Sequence, residues 1–203
     1  MMGLLWIPLL PLLGTLVPLL VARFNRSSIA FFTAILPAMA LFLLFKQAPA
    51  VFNGEVIAIS FEWIPLAGLE VAFRLDGLAW LFALLILGIG QLIILYARYY
   101  LSEQDNMPLF YSYLILFMTA MLGIVLSGNL IQLWFFWELT SISSFLLIGF
   151  WSHKSEARKG ARMALTVTGG GGLALLAGLL LVGNIVGSYD LSTVLASGDL
   201  IRE

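Results

Sequence analysis

The sequence contains six apolar stretches of about 20 residues, the length that a helix needs to cross a hydrocarbon core roughly 30 Å thick. The chain is 62% hydrophobic and 10% charged, whereas soluble domains carry about 25% charged residues. We therefore expect an all-α membrane protein in which residues 1–203 form a single transmembrane domain. Its predicted helices cover residues 3–22, 28–48, 76–97, 108–127, 129–151 and 161–186.

The distribution of basic residues predicts which helix ends face the cytoplasm. No charge precedes the first apolar stretch, whereas Arg23 and Arg26 follow it, which is unlike a cleaved signal peptide. We expect a multi-pass protein of the cell inner (plasma) membrane with its N-terminus outside, because seven basic residues then lie inside and three outside. The inner ones are Arg23, Arg26, Arg98, Lys154, Arg158, Lys159 and Arg162, and the outer ones are Lys46, Arg74 and Arg202.

The segment between the second and third predicted helices has the pattern of β-structure. Residues 56–63 and 69–75 alternate apolar and polar side chains, which is typical of strands with one covered face. The pattern predicts an amphipathic β-hairpin on the outer surface, joined by the residues IPLAG. An irregular outer loop is the alternative.

Cysteine and histidine usage limits the chemistry of these residues. There is no Cys, and His153 is the single His, so this chain cannot hold a thiolate-bound iron-sulfur cluster or a haem with two His ligands. We expect no cofactor and no metal site. The net charge of −1 is spread over short connections, which gives no indication of nucleic-acid binding.

One carboxylate, Glu138, lies within the apolar and aromatic run LIQLWFFWELTSISSF. It is about nine residues, or roughly 14 Å, into the fifth predicted helix. A charge at the centre of a bilayer costs roughly 2.5–3.5 kcal/mol, and no Lys or Arg is centred in any predicted helix. Glu138 is therefore either protonated or balanced by a cation from outside these residues. A carboxylate that alternates between the two states can carry protons.

Polar residues extend from Glu138 in both directions along the same helix. Thr140, Ser141 and Ser144 follow it, and Gln132 precedes it. They predict a hydrated path for protons. The alternative is that the hydroxyl groups bond to backbone carbonyls and assist helix packing.

Asp76 stands where the third helix should begin, in FRLDGLAWLF. An Asp at this position accepts hydrogen bonds from free backbone N–H groups and interacts favourably with the helix dipole. We expect a helix cap, with a minor role in ion handling as the alternative.

The sixth predicted helix contains four consecutive glycines in TVTGGGGLALLAG, each of which costs up to about 1 kcal/mol relative to Ala. Gly170, Ala174 and Gly178 recur every four residues and predict a close helix contact. A broken or strained helix near an ion path is the alternative.

Three segments together resemble a known family: FRLDGLAWLF, LWFFWELTSISSFLLIGFW and ARMALTVTGGGGLALLAG. They are similar to the antiporter-like membrane subunits of complex I, membrane-bound hydrogenases and Mrp-type Na⁺/H⁺ antiporters, and in particular to the large Mrp subunit of the A type (also called Pha or Mnh). The resemblance implies that Glu138 is the proton-translocating glutamate, which works in the family with a lysine of the seventh helix. It also implies a larger subunit built from inverted repeats, so we expect an N-terminal fragment and an incomplete half of such a subunit.

The resemblance implies a secondary transporter rather than an enzyme. It would be a subunit of a multisubunit Na⁺/H⁺ antiporter in the lipid bilayer, with other antiporter subunits as partners. One alternative is the proton-pumping subunit of a respiratory NADH:quinone oxidoreductase or hydrogenase, driven by redox chemistry in its partners. Another is a scaffold subunit in which Glu138 only bonds to a neighbouring helix.

Overall fold

The computed structural model describes residues 2–64 and 69–202, and within them six helices are long and apolar enough to span a membrane. The predicted all-α membrane fold is confirmed. The connection between the predicted strands, residues 65–68, lies outside the described residues. The elements are α1 (Met2–Gly14), α2 (Val17–Leu20), α3 (Arg26–Phe52), β1 (Ile57–Ile64), β2 (Leu69–Leu75), α4 (Gly77–Tyr100), α5 (Met107–Leu126), α6 (Leu130–Ile148), α7 (Ser155–Val186), α8 (Leu191–Ala196) and α9 (Gly198–Arg202).

The first predicted helix is interrupted, and α1 and α2 together form one span. At the break, the N–H groups of Thr15 and Leu16 bond to carbonyls three residues earlier, at 3.2 and 3.4 Å. Pro18 lies in the first turn of α2 and has no N–H to donate, so the α-helical ladder cannot continue through this position. The span predicted over residues 3–22 is thus present, with an interruption between α1 and α2.

Helix α5 forms the centre of the bundle and packs against α1, α4 and α6. In an apolar stretch of 18 residues within α5, 56% of the residues are buried, whereas 6% are buried in the corresponding stretch of α7. Tyr111 is fully buried in this core, and its hydroxyl donates to the carbonyl of Ile94 at 2.8 Å. Helix α7 thus lies at the edge of the described bundle, against α6.

The predicted β-hairpin is confirmed between α3 and α4. Strands β1 and β2 are antiparallel and pair Ile57 with Leu75 and Ile59 with Phe73. Phe73 and Leu75 are buried, so the apolar face that alternation predicted is the face turned toward the helices.

One end of the bundle, which we call the hairpin end, is formed by the hairpin, residues 127–129 and residues 187–202. Backbone hydrogen bonds join its parts: Gly128 N–H donates to the Ala72 carbonyl at 2.7 Å, and Leu191 N–H donates to the Gly128 carbonyl at 2.8 Å. Leu130 N–H also donates to the Tyr189 carbonyl at 2.9 Å. The hairpin, the start of α6 and the segment after α7 are therefore fixed to one another.

The opposite end, which we call the far end, contains residues 21–25, 101–106 and 149–154. The Arg26 guanidinium donates to the carbonyls of Leu101 at 2.6 Å and Ser102 at 2.8 Å, just beyond α4. The indole N–H of Trp151 donates to Asp105 at 2.8 Å. Together with hydrogen bonds from the Ser102 backbone and side chain, it holds the pKa of the Asp105 carboxyl below its usual value. These bonds link three connections at the far end.

Helix α7 is continuous through its four glycines, so it is not broken there, and a strained helix near an ion path stays a prediction. Gly170 and Gly178 have open space where a side chain would begin, and Ala174 is exposed. The expected face of Gly170, Ala174 and Gly178 therefore contacts no other described element. The close contacts of α7 lie elsewhere, at Gly172 and Gly183.

Candidate functional site

Glu138 lies near the middle of α6, on the side that packs against α7. The residue is half-buried, and its Oε1 atom is buried without a hydrogen-bond partner in the described part of the chain. Glu138 also has no ion-pair partner among the described residues, where the one ion pair is Arg74–Asp76 at the hairpin end. The carboxylate is therefore enclosed by protein while its bonding capacity is left unused, a costly arrangement for a structural group.

The space for the Glu138 carboxylate is provided by Gly172 of α7. A Cβ atom at Gly172 would overlap Glu138 Oε1 and would lie 2.9 Å from Glu138 Cδ. Gly172 is buried, and its carbonyl accepts a hydrogen bond from the indole N–H of Trp134 at 2.9 Å. Trp134 stands one helical turn before Glu138, so both side chains meet the same residue of α7.

On its other side, α6 contacts α5 through the ring of Phe136. A Cβ atom at Gly123 of α5 would overlap the Phe136 ring, so the ring lies directly against the α5 backbone. Helix α6 is therefore in close contact with a glycine of each neighbouring helix, one on either side of the segment that carries Glu138.

The hydroxyl groups after Glu138 bond to their own helix. Thr140 Oγ1 donates to the Trp137 carbonyl at 2.7 Å, and Ser141 Oγ donates to the same carbonyl at 3.4 Å. Ser144 lies half-buried further along the helix. For Thr140 and Ser141 this is the geometry of the alternative interpretation, in which hydroxyls satisfy backbone carbonyls. A role of Thr140, Ser141 and Ser144 in a hydrated path stays a prediction.

Gln132 has a role that the sequence did not indicate. Its Oε1 accepts a hydrogen bond from the backbone N–H of Ala72 at 2.8 Å, whereas its buried Nε2 has no described partner. The side chain joins α6 to β2 beside an apolar cavity of about 390 Å³. Its place in a proton path stays a prediction as well.

Asp76 is the N-cap residue of α4. Its Oδ1 accepts from the backbone N–H of Ala79 at 2.9 Å, and its Oδ2 lies 3.0 Å from Arg74 Nη1. Both oxygens thus have partners in the geometry of a helix cap. This arrangement offers no support for the alternative role in ion handling.

Comparison with known proteins identifies the family. Residues 63–111 match the family model described as "NADH-Ubiquinone oxidoreductase (complex I), chain 5 N-terminus", and residues 127–199 match "NADH:quinone oxidoreductase/Mrp antiporter, TM". The chain belongs to the family of antiporter-like membrane subunits. The second match includes Glu138, Trp134 and Gly172. The resemblance inferred from the sequence motifs is thereby confirmed.

Antiporter subunits are among the relatives of this antiporter-like chain. It is 50% identical over 194 residues to the probable K⁺/H⁺ antiporter A/B subunit of Rhizobium meliloti (strain 1021), covering 96% of this chain and 19% of that protein. It is 40% identical over 199 residues to the Na⁺/H⁺ antiporter A subunit of Alkalihalophilus pseudofirmus, covering 97% of this chain and 25% of that protein. The chain thus spans about a fifth to a quarter of the length of these relatives.

Solved structures support the same assignment. The antiporter-like fold matches a chain of the Mrp complex from Dietzia sp. DQ12-45-1b with a TM-score of 0.81 and 28% identity, over 96% of this chain and 21% of that one. It also matches a chain of an archaeal membrane-bound sulfane sulfur reductase with a TM-score of 0.78 and 21% identity, over 94% of this chain and 29% of that one. The second likeness establishes the fold alone.

Proposed function

We propose that this chain contributes to a multisubunit monovalent cation/proton antiporter and that Glu138 binds and releases the proton. The observation that carries the proposal is the buried Oε1 of Glu138, which has no hydrogen-bond partner among the described residues and lies near the middle of a membrane-spanning helix. A buried carboxylate without a fixed partner can gain and lose a proton without breaking a structural bond. The activity is secondary transport, with other antiporter subunits as partners in the plasma membrane.

The names of the relatives support both Na⁺ and K⁺ as the exchanged cation. The relative from Alkalihalophilus pseudofirmus is named for Na⁺, and the more similar one from Rhizobium meliloti is named for K⁺. We therefore extend the sequence-based prediction of Na⁺/H⁺ exchange to Na⁺ or K⁺.

A test of the proposal uses inverted membrane vesicles that contain the complete complex. After the lumen has been acidified, addition of NaCl or KCl is expected to release protons and restore the fluorescence of a trapped pH probe. Vesicles without the complex, and addition of choline chloride, are the controls. No response to either cation would contradict the proposal.

The second candidate is a proton-pumping subunit of a redox complex, which both family models name in their descriptions. In that case Glu138 still carries protons, but electron transfer in partner subunits drives them. Proton movement in the vesicles would then require an electron donor and would not follow added Na⁺ or K⁺. Genes for iron-sulfur subunits beside this one would also favour the redox complex.

The orientation can be tested because the 203-residue sequence contains no Cys. Glu55 at the hairpin end and Glu103 at the far end are both exposed. The excess of basic residues at the far end supports a cytoplasmic position for that end. We expect a membrane-impermeant maleimide to label Glu55→Cys in intact cells, and to label Glu103→Cys only after permeabilisation. The parent complex is the control, and the reverse pattern would place the N-terminus inside.

A further inference from the structure

We propose that Gly172 and Trp134 are positioning residues for the Glu138 carboxylate. Gly172 leaves the space that the carboxylate occupies, and the bond from Trp134 to the Gly172 carbonyl holds α6 and α7 in the register that brings this space to Glu138. The inference rests on the proposed function of Glu138. It assigns a specific task to one glycine of the run and to one tryptophan that the sequence did not single out.

The first argument is that the four glycines differ in their surroundings. At Gly169, Gly170 and Gly171 a Cβ atom would have no neighbour within 4 Å in the part of the chain that the structure describes. At Gly172 it would overlap Glu138 Oε1 and approach Cδ to 2.9 Å and Oε2 to 3.5 Å. All three carboxyl atoms of Glu138 thus lie around the position of the absent side chain. The close approach of the carboxylate therefore requires glycine at position 172, whereas it does not require glycine at positions 169–171.

The second argument is the register of the two helices. Trp134 and Glu138 are four residues apart, so they lie on one face of α6. Trp134 Nε1 donates to the Gly172 carbonyl at 2.9 Å, so the indole contacts the same residue that faces the carboxylate. Sliding α7 along α6 by one residue, about 1.5 Å, would break this bond and would place another residue opposite Glu138.

The third argument concerns which atoms would move if a side chain at position 172 filled the space. The atoms that an alanine at 172 would displace belong to the end of a flexible Glu side chain and not to backbone. The carboxylate would therefore move while α6 and α7 stay packed. Such a displacement changes the surroundings in which the proton is bound, and it should alter the pH dependence of exchange.

The charged and titratable groups on the neighbouring elements lie away from this position. On α7 they occupy the first turns, and Arg162 is ten residues, or about 15 Å, before Gly172. On α5 they are tyrosines near the far end, and on β2 they are at the hairpin end. These groups are Glu156, Arg158, Lys159 and Arg162 on α7, Tyr111 and Tyr113 on α5, and Glu70 and Arg74 on β2. Among the titratable groups of the described residues, Glu138 is thus the one that an added side chain at position 172 would contact.

The experiment measures cation-driven proton exchange by the complete complex in inverted vesicles, as a function of pH, for Gly172→Ala and Trp134→Phe. Gly170→Ala and Gly171→Ala are matched controls, because they make the same change in the same helix where space is open. We expect normal assembly of all four variants. For Gly172→Ala we expect a fall in rate of about tenfold to a hundredfold and a shifted pH profile. For Trp134→Phe we expect a smaller shift, and for the controls none.

A second-site variant separates positioning from a general packing defect. Glu138→Asp shortens the side chain by one methylene group and withdraws the carboxylate from position 172. We expect the double variant Gly172→Ala/Glu138→Asp to exchange faster than Gly172→Ala, because the shorter side chain avoids the added methyl group. No gain in the double variant would overturn the inference.

Other outcomes also decide the question. Equal effects at Gly171 and Gly172, loss of assembly in Gly172→Ala, or an unchanged rate and pH profile in that variant would each overturn the inference. Exchange by Glu138→Gln at the parent rate would instead refute the proposed role of Glu138. An inactive Glu138→Gln beside a parent-like Gly172→Ala would refute the positioning role and leave the proposed function standing.

Discussion

Replacing Glu138 with glutamine is expected to reduce cation-driven proton exchange by about a hundredfold, or to background. Glutamine has nearly the size of glutamate and keeps a carbonyl oxygen at the position of the buried Oε1, but it cannot bind and release a proton. The space beside Gly172 and the bond from Trp134 to that residue do not depend on the charge of Glu138. The complex should therefore assemble in normal amounts, as judged by immunoblot of the membranes.

The matched control for this experiment is Glu103→Gln, which makes the same chemical change at an exposed carboxylate of the far end. We expect Glu103→Gln to exchange at the parent rate. If Glu138→Gln also exchanged at the parent rate, Glu138 would be a structural group, as the scaffold hypothesis holds. Loss of exchange with normal assembly would exclude that hypothesis.

Replacing Gly123 with alanine is expected to destabilise the complex by about 1–3 kcal/mol through overpacking. A Cβ atom there would overlap the Phe136 ring at Cγ and Cδ1, close to where the ring joins its own backbone, so the ring cannot swing aside. The helices α5 and α6 would have to separate at the centre of the bundle. Thermal loss of the intact complex in detergent, followed by size-exclusion chromatography, measures the effect.

Two other glycines provide the comparison for Gly123→Ala. Gly88 of α4 has open space at the same position, so Gly88→Ala should be neutral. At Gly90 the added methyl group would meet the flexible end of Met118, which can move aside at a smaller cost. We expect stability to fall in the order Gly88→Ala, Gly90→Ala, Gly123→Ala. A Gly123 variant as stable as the Gly88 variant would contradict this interpretation of the α5–α6 contact.

The spans and the hairpin could be predicted because their signals lie in consecutive residues. Apolar runs of membrane length and strict alternation in residues 56–63 and 69–75 each need no information about the rest of the chain. The break before α2 was missed because the general apolar character of residues 3–22 outweighed the local effect of Pro18. The extension of α7 back to Ser155 was missed because its first turns are charged and do not belong to an apolar run.

The site could be predicted only in part. Glu138 stood out because a carboxylate in an apolar run is costly wherever its neighbours lie. Gly172 could not be distinguished from Gly170 in the sequence, since the difference is the position of a side chain on another helix. The same limit applies to Gln132, whose hydrogen bond to Ala72 joins residues that are 60 positions apart.

The contact between Trp134 and Gly172 has a consequence for the synthesis of the protein. The two residues are 38 positions apart in the chain. At a synthesis rate of roughly 5–20 residues per second, Trp134 is joined to the chain about 2–8 s before Gly172. The contact between α6 and α7 can therefore form only after the first half of α7 has been made. The space for the Glu138 carboxylate is thus completed only when α7, the last of the six described spans, packs against α6.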